Sequence, residues 1–281
     1  MRCVEKAYAK INLTLAVGEK RLDGYHEVVS VMQRVSLCDT LTAERTDSGI
    51  LLACSDPSLP SGEENLAHRA ASLFFRETGI AGGAALTLEK RIPSQAGLGG
   101  GSSDAASALL ALRKLYAPAL PDGALETMAA ALGSDVPFFI RGGTQLATGR
   151  GEVLSPLPPL TDGWFVIVKP AESFSTPSMY RRLDEPGSVL VRNSRYMQDA
   201  VAANNVHAVA AELHNSFERV VPKDSSLRTI KDALRAQGAL ASLLSGSGSA
   251  VFGLFDTETA ARAAVEALRP AWPEIFLARP V

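Results

Sequence analysis

The sequence predicts an α+β fold, on three observations. Period-two apolar runs and amphipathic helical stretches follow one another in no fixed order. No segment repeats, and no G-x-G-x-x-G links a strand to a helix, so neither a repeat array nor a dinucleotide-binding doubly wound sheet fits. The length of 281 residues lies where a single core stops growing, which sets one large domain or two smaller ones.

The elements come in this order. Residues 9–17 (AKINLTLAV) put Ile11, Leu13, Leu15 and Val17 on one face of a strand. Asp23-Gly24 is a turn signal, and the apolar run after it predicts a hairpin-like return. Residues 41–54 and 84–89 read as further strands, with a helix between them (LAHRAASLFFRETG) stopped by Gly79. The loop 93–103 (PSQAGLGGGSS) precedes an Ala/Leu-rich helix, and residues 124–132 form another, ended by Gly133. GTQLATGRGEVL carries strand and turn signals. The Pro-rich stretch 155–163 marks a boundary, dividing the chain into domains 1–155 and 156–281. Beyond it WFVIV is a strand, residues 197–220 are mostly helical, and 225–237 form a helix stopped by Gly238. ASLLS and AVFGLF are strands around Gly246-Ser247-Gly248, and TETAARAAVEAL is a closing amphipathic helix.

Composition excludes several classes. Hydrophobic residues make up 46% and charged residues 21%, an ordinary globular balance. With 28 Lys+Arg against 30 Asp+Glu there is no basic excess for nucleic acid. No apolar run approaches the ~18 residues of a membrane helix, and the N-terminus lacks the apolar block of a signal peptide. Three dispersed cysteines suit a reducing compartment, and the four histidines show no ligand spacing. A cytoplasmic protein without a structural metal is expected.

The segment from Pro93 to Ser103 carries the chemistry. Four glycines within five residues remove side chains where something must approach the backbone. Ser102 or Ser103 is placed to cap the following helix, whose dipole and free N–H groups suit a phosphate chain. A surface loop before a capped helix has the same sequence. There is no Gly-Lys-Ser/Thr and hence no P-loop. Lys10 shares a strand face with Asn12 and Thr14, a face that is ordinarily solvated. Asp135, two residues before Pro137, reads as an N-cap or as a carboxylate held beside an ammonium such as Lys10. Tyr25 and His26 follow the Asp23-Gly24 turn. Either Tyr25 packs in the core with His26 a solvated turn residue, or both face one ligand.

Taken together, AKINLTL, DGYHE, NL, IPSQAGLGGGSSDAA, LGSDVPFF, GRGE and SGSGSAVF run in an order that resembles the GHMP kinase superfamily. They are most similar to the branch on the isoprenoid route whose acceptor is a cytidine-diphosphate-linked methylerythritol. The resemblance implies an N-terminal α+β domain and a ferredoxin-like C-terminal domain, with ATP and acceptor in a cleft between them. It implies transfer of the ATP γ-phosphoryl to the acceptor 2-hydroxyl, with Mg2+ as companion of ATP, and names no metal ligand. Lys10 and Asp135 map onto the catalytic pair. The nucleotide side maps onto Pro93, Ser94, Gln95, Ala96, Gly97, Leu98, Gly99, Gly100, Gly101, Ser102 and Ser103, with Lys90 and Asn65 nearby. Gly246 to Ser249 map onto a second glycine loop backing the first. The acceptor side maps onto Asn12, Tyr25, His26, Thr176 and Tyr180. Tyr25 stacks on the cytosine, Tyr180 covers its other face, and His26 meets the base edge through a ring N–H. The only partner implied is the small-molecule substrate, with no nucleic acid or membrane, and a monomer or weak homodimer. Kinases for mevalonate or homoserine, and a non-catalytic nucleotide-binding module, are the alternatives. The first lack a base to recognise, and the second needs no proton acceptor.

Overall fold

The computed structural model describes residues 1–185 and 194–281 and has the α+β architecture expected. The chain opens with two long neighbouring strands, β1 (Arg2–Lys20) and β2 (His26–Thr46). The turn between them needs Gly24 at φ 84°, and its N–H donates to the Arg21 carbonyl at 3.0 Å. Gly49, at φ 74°, begins β3 (Gly49–Cys54), so the run expected as one strand over 41–54 is two. The other elements are α1 (Leu66–Thr78), β4 (Gly83–Glu89), α2 (Gly100–Tyr116), α3 (Asp122–Leu132), α4 (Val136–Arg141), β5 (Thr144–Thr148) and β6 (Val153–Pro156). They continue with β7 (Trp164–Val168), α5 (Thr176–Leu183), α6 (Arg195–Ala202), α7 (Val206–Glu212), β8 (His214–Asn215) and α8 (Leu227–Ala236). The last are β9 (Ala241–Leu244), β10 (Val251–Phe255), α9 (Glu258–Leu268) and β11 (Ile275–Ala278).

These elements form two compact units, each drawn from separated segments. Residues 1–9, 38–94 and 99–142 form the first; 10–37, 95–98 and 143–281 form the second. The stretch 1–155 therefore holds all of the first unit together with 10–37, 95–98 and 143–155 of the second. The division crosses β1 and β2 because each is long enough to serve both cores.

In the first unit the end of β2 pairs antiparallel with β4, from Thr40↔Glu89 to Thr46↔Gly83, and β3 pairs parallel with β4. Helices α1 and α2 pack closely, which alanines at 67, 70, 71, 105, 108 and 111 permit. In the second unit β5 pairs with the start of β2, and β8 pairs with β1 at Thr14↔His214. A separate antiparallel sheet has the order β11-β7-β10-β9. Its core includes Val166, Val168, Val251 and Phe255 with Ile230 and Leu234 of α8 and Ala261, Ala264 and Val265 of α9. Phe165 meets Phe252 edge-on, so β7 has apolar residues on both faces, which is why WFVIV does not alternate.

Candidate active site

The glycine-rich segment is anchored by two side chains and opened by its glycines. Ala96 and Leu98 are buried, while Ser94, Gln95 and Gly101 are exposed. Their carbonyls are taken: Ala96 accepts from the Ala250 N–H at 3.0 Å and Leu98 from the Lys10 N–H at 2.9 Å. Gly97 has φ 75°, and a Cβ there would sit 2.1 Å from the Ser245 carbonyl oxygen. The Ser245 hydroxyl in turn donates to the Gly97 carbonyl at 3.0 Å. The turn 245–248 thus backs the first loop, at a distance only a glycine allows.

Gly99, at φ 72°, is the N-cap of α2, and no side chain caps that helix. The sequence placed Ser102 or Ser103 as the cap; both lie inside the first turn, because the helix starts earlier, with Gly99 at the N-cap in a left-handed conformation that glycine adopts without strain. Among the described residues, no backbone N–H from 97 to 102 donates to a carbonyl in the loops, turns and caps. A row of unused donors at a helix N-terminus is the arrangement that binds phosphate oxygens.

The polar face of β1 is buried, not solvated. Lys10, Asn12 and Thr14 are at most 5% exposed. Lys10 Nζ donates to Asn12 Oδ1 and Asn12 Nδ2 to the Ser30 hydroxyl, both at 2.8 Å. Ser30 donates to the Thr14 carbonyl at 2.6 Å, and Thr14 Oγ1 accepts from the Val31 N–H at 2.9 Å. The ammonium of Lys10 is therefore fixed through the hairpin rather than by chance packing. Asp135, in the first unit, occupies the N-cap position of α4 with φ −84°, ψ −14° and makes no capping bond to it.

Lys90 is buried between two carboxylates. Its Nζ lies 2.5 Å from Asp39 Oδ2 and 2.6 Å from Asp104 Oδ2, with all three side chains at most 7% exposed. Asp39 Oδ1 also accepts the N–H groups of Arg91 and Ile92, at 2.5 and 2.8 Å. Burial pulls the Lys90 ammonium down, but Asp104 and then Asp39 outweigh it, so it stands above the ordinary lysine range. Burial pushes the Asp104 carboxyl up to about 7, against the pull of Lys90 and with a further push from Asp39. Asp104 Oδ1 has no hydrogen-bond partner. Asp39 and Asp104 are the residues that sequence reading missed; the signal was the acid closing GLGGGSSD, spaced to face a lysine just before the loop. Asn65 caps α1, accepting from the Ala67 N–H at 2.9 Å and donating to the Pro60 carbonyl at 2.8 Å.

The aromatic residues of the second unit are not arranged as expected. Tyr25 is 55% exposed, with the Arg150 guanidinium 4.8 Å from its ring centroid. His26, not Tyr25, is the buried one. The turn ends at Tyr25, so β2 begins with His26 facing inward. Tyr180 stacks on His26 at 5.0 Å and 26° and meets Phe217 edge-on, so that face of Tyr180 is covered by the imidazole. Thr176 starts α5 with its Oγ1 2.7 Å from Ser247 Oγ, in the turn that backs Gly97.

Two family models match the chain: GHMP kinases N terminal domain over 65–143 and GHMP kinases C terminal over 197–274. It is 42% identical to a 4-diphosphocytidyl-2-C-methyl-D-erythritol kinase of Moorella thermoacetica over 97% of each chain. A namesake from Symbiobacterium thermophilum is 41% identical over 98% of each. A crystal structure of a 4-(cytidine 5'-diphospho)-2C-methyl-D-erythritol kinase superposes with TM-score 0.86 and 40% identity, covering 99% of both chains. A Methanococcus jannaschii mevalonate kinase, 15% identical over 100% of this chain and 99% of its own with TM-score 0.77, shares the fold.

Proposed function

The chain belongs to the 4-diphosphocytidyl-2-C-methyl-D-erythritol kinases of the GHMP superfamily, and we propose how its residues divide that reaction. It is a kinase of the methylerythritol phosphate route to isoprenoid precursors, with ATP as phosphate donor and 4-diphosphocytidyl-2-C-methyl-D-erythritol as acceptor. The donor-only backbone from Gly97 to Ser102 is the observation that carries the reading, because it fits a chain of phosphates. Residues 93–103 hold the triphosphate. Lys90 and Asn65 support that loop from behind rather than by free side chains, since both side chains already have protein partners.

Asp135 accepts the proton of the acceptor 2-hydroxyl, and Lys10 stabilises charge on the transferring phosphoryl group. Transfer of this kind depends on positioning and charge, which the Lys10–Asn12–Ser30 chain supplies on the lysine side. Mg2+ is proposed to enter with ATP. The described residues hold no cluster of three or more His, Cys, Asp or Glu for a protein-held metal, and bound Mg2+ supplies charge neutralisation on phosphate oxygens. Tyr25 offers an exposed aromatic face, His26 a hydrogen-bonding edge, and Thr176 and Asn12 polar contacts to the acceptor; Tyr180 acts by holding His26. The division at 155/156 is kept as a division of motifs, since one family match ends at 143 and the other starts at 197. No described helix is long and apolar enough to cross a membrane.

The test is ADP release with the cytidine-linked acceptor, with methylerythritol phosphate, and with mevalonate or homoserine. Turnover confined to the first, with CDP competing against it, is expected. Equal turnover of mevalonate, or no competition by CDP, would replace this reading with a broader GHMP kinase.

A further inference from the structure

Asp184 lies against the Tyr25–His26 corner. It is the C-cap of α5, and its Oδ1 lies 2.6 Å from His26 Nε2 while its Oδ2 accepts from Lys20 Nζ at 2.9 Å. The bonds from Lys20 and then His26 hold the Asp184 carboxyl below the usual carboxylate range. An ionised carboxylate only accepts hydrogen bonds. The hydrogen between the two groups therefore sits on Nε2, and a neutral imidazole then keeps its lone pair on Nδ1. Tyr180, one turn earlier on α5, stacks on the same ring and fixes its plane. Tautomer and orientation of His26 are thus both set by α5. The ring N–H expected to meet a base edge is already used.

We propose that Asp184 is a specificity-determining positioning residue: by holding His26 in its Nε2–H form it presents Nδ1 as a hydrogen-bond acceptor to the exocyclic amine of cytosine. The proposal rests on the reading that His26 faces the base. Cytosine carries a donor amine where uracil carries an acceptor carbonyl. An acceptor at Nδ1 pairs with the first and opposes the second, leaving both oxygen and nitrogen without a partner in each other. A correct donor–acceptor match of this kind gives roughly 10- to 100-fold discrimination between bases.

The variant that inverts the arrangement is Asp184→Asn. Lys20 can only donate, so it keeps the amide oxygen and turns the amide NH2 toward Nε2. Nε2 must then accept, and the ring hydrogen moves to Nδ1. The measurements are competition by CDP and by UDP against the acceptor in the ADP-release assay, and the 15N shifts of the His26 ring. Wild type should show the Nε2–H form and prefer CDP by about 10- to 100-fold. Asp184→Asn should show the Nδ1–H form, lose that preference and raise KM for the cytidine-linked acceptor, with KM for ATP unchanged. Asp184→Ala, which releases both the ring and Lys20, should lose part of it and serves if the Asn variant does not fold. Lys20→Met, which leaves the His26–Asp184 bond, should retain the preference. An unchanged CDP:UDP ratio in Asp184→Asn or Asp184→Ala, or an Nδ1–H wild-type ring, overturns the proposal. If His26→Ala leaves CDP competition intact, the reading of His26 as a base contact fails instead.

Discussion

The glycine-rich loop and the Tyr25–His26 corner, the two places where ligands are proposed to bind, are built by opposite means. The loop offers backbone N–H groups, and its side chains serve only to anchor it: Ala96 and Leu98 point inward and Gly97 lies against Ser245. The corner offers side chains whose directions are set by distant partners, Asp184 and Tyr180 for His26 and Arg150 for Tyr25. Backbone sites are written into residue type, because only glycine permits the approach and the positive φ. Side-chain sites are written into tertiary neighbours. Substitutions at the two should therefore fail in different ways.

The largest effect is expected at Asp135. Asp135→Asn should lower turnover by about 10²–10⁴ with little change in acceptor KM, as for loss of a general base. Asp135 makes no capping bond to α4, so Asn cannot restore activity by serving as a cap. Near-normal kcat would remove Asp135 from the chemistry. Next comes the support behind the loop. Lys90→Met leaves Asp39 and Asp104 facing each other in a dry site and should cost about 3–5 kcal/mol in urea unfolding. A stable variant would mean that the triad holds nothing in place.

Asp104 adds a pH signature to that support. Its folded pKa of about 7 stands above the unfolded carboxylate value near 4, so its contribution is full below about pH 4 and is lost as pH rises through 7. Relative to Asp104→Asn, the wild type should lose stability between pH 4 and 7 and run parallel above. Parallel curves throughout would show Asp104 ionised across the range.

Within the loop, Gly97→Ala meets Ser245 and a left-handed φ, and should cost about 2–5 kcal/mol. Gly101→Val has room, its Cβ lying 3.7 Å from Leu66 Cδ1, and should stay folded while KM for ATP rises. Unchanged ATP affinity in that folded variant would move the phosphates elsewhere. The smallest effect belongs to the corner. Tyr25→Ala, at a residue 55% exposed, should leave stability and ATP binding alone and weaken the acceptor by about 1–3 kcal/mol, the worth of one base stack. Acceptor KM equal to wild type would limit Tyr25 to its contact with Arg150.

Much of the architecture could be read directly. Gly79, Gly133 and Gly238 lie just beyond or within two residues of helix ends, as their freedom at positive φ or in open backbone predicts. WFVIV and AVFGLF were legible as strands, and the structure buries both. The lengths of β1 and β2 were not, because alternation fades where both faces are covered. The early start of α2 was hidden as well, since serine signals a cap wherever it stands and only the backbone shows that Gly99 holds that position.

The sequence by itself determined the α+β class, the hairpin at Asp23-Gly24 and the glycine-opened backbone of 93–103 before a helix. Each follows from local steric rules acting on glycine, on alternating apolar residues and on helix ends. Tertiary structure alone decided that Lys10 is buried on Asn12, that Lys90 closes a triad with Asp39 and Asp104, and that His26 turns inward to Asp184 while Tyr25 stays out. Two of those outcomes join groups far apart in the chain, 51 residues for Lys90–Asp39 and 158 for His26–Asp184, and the burial of Lys10 depends on the strands packed around it. A buried charge must find a partner wherever the fold brings one, and local sequence carries no record of which one that is.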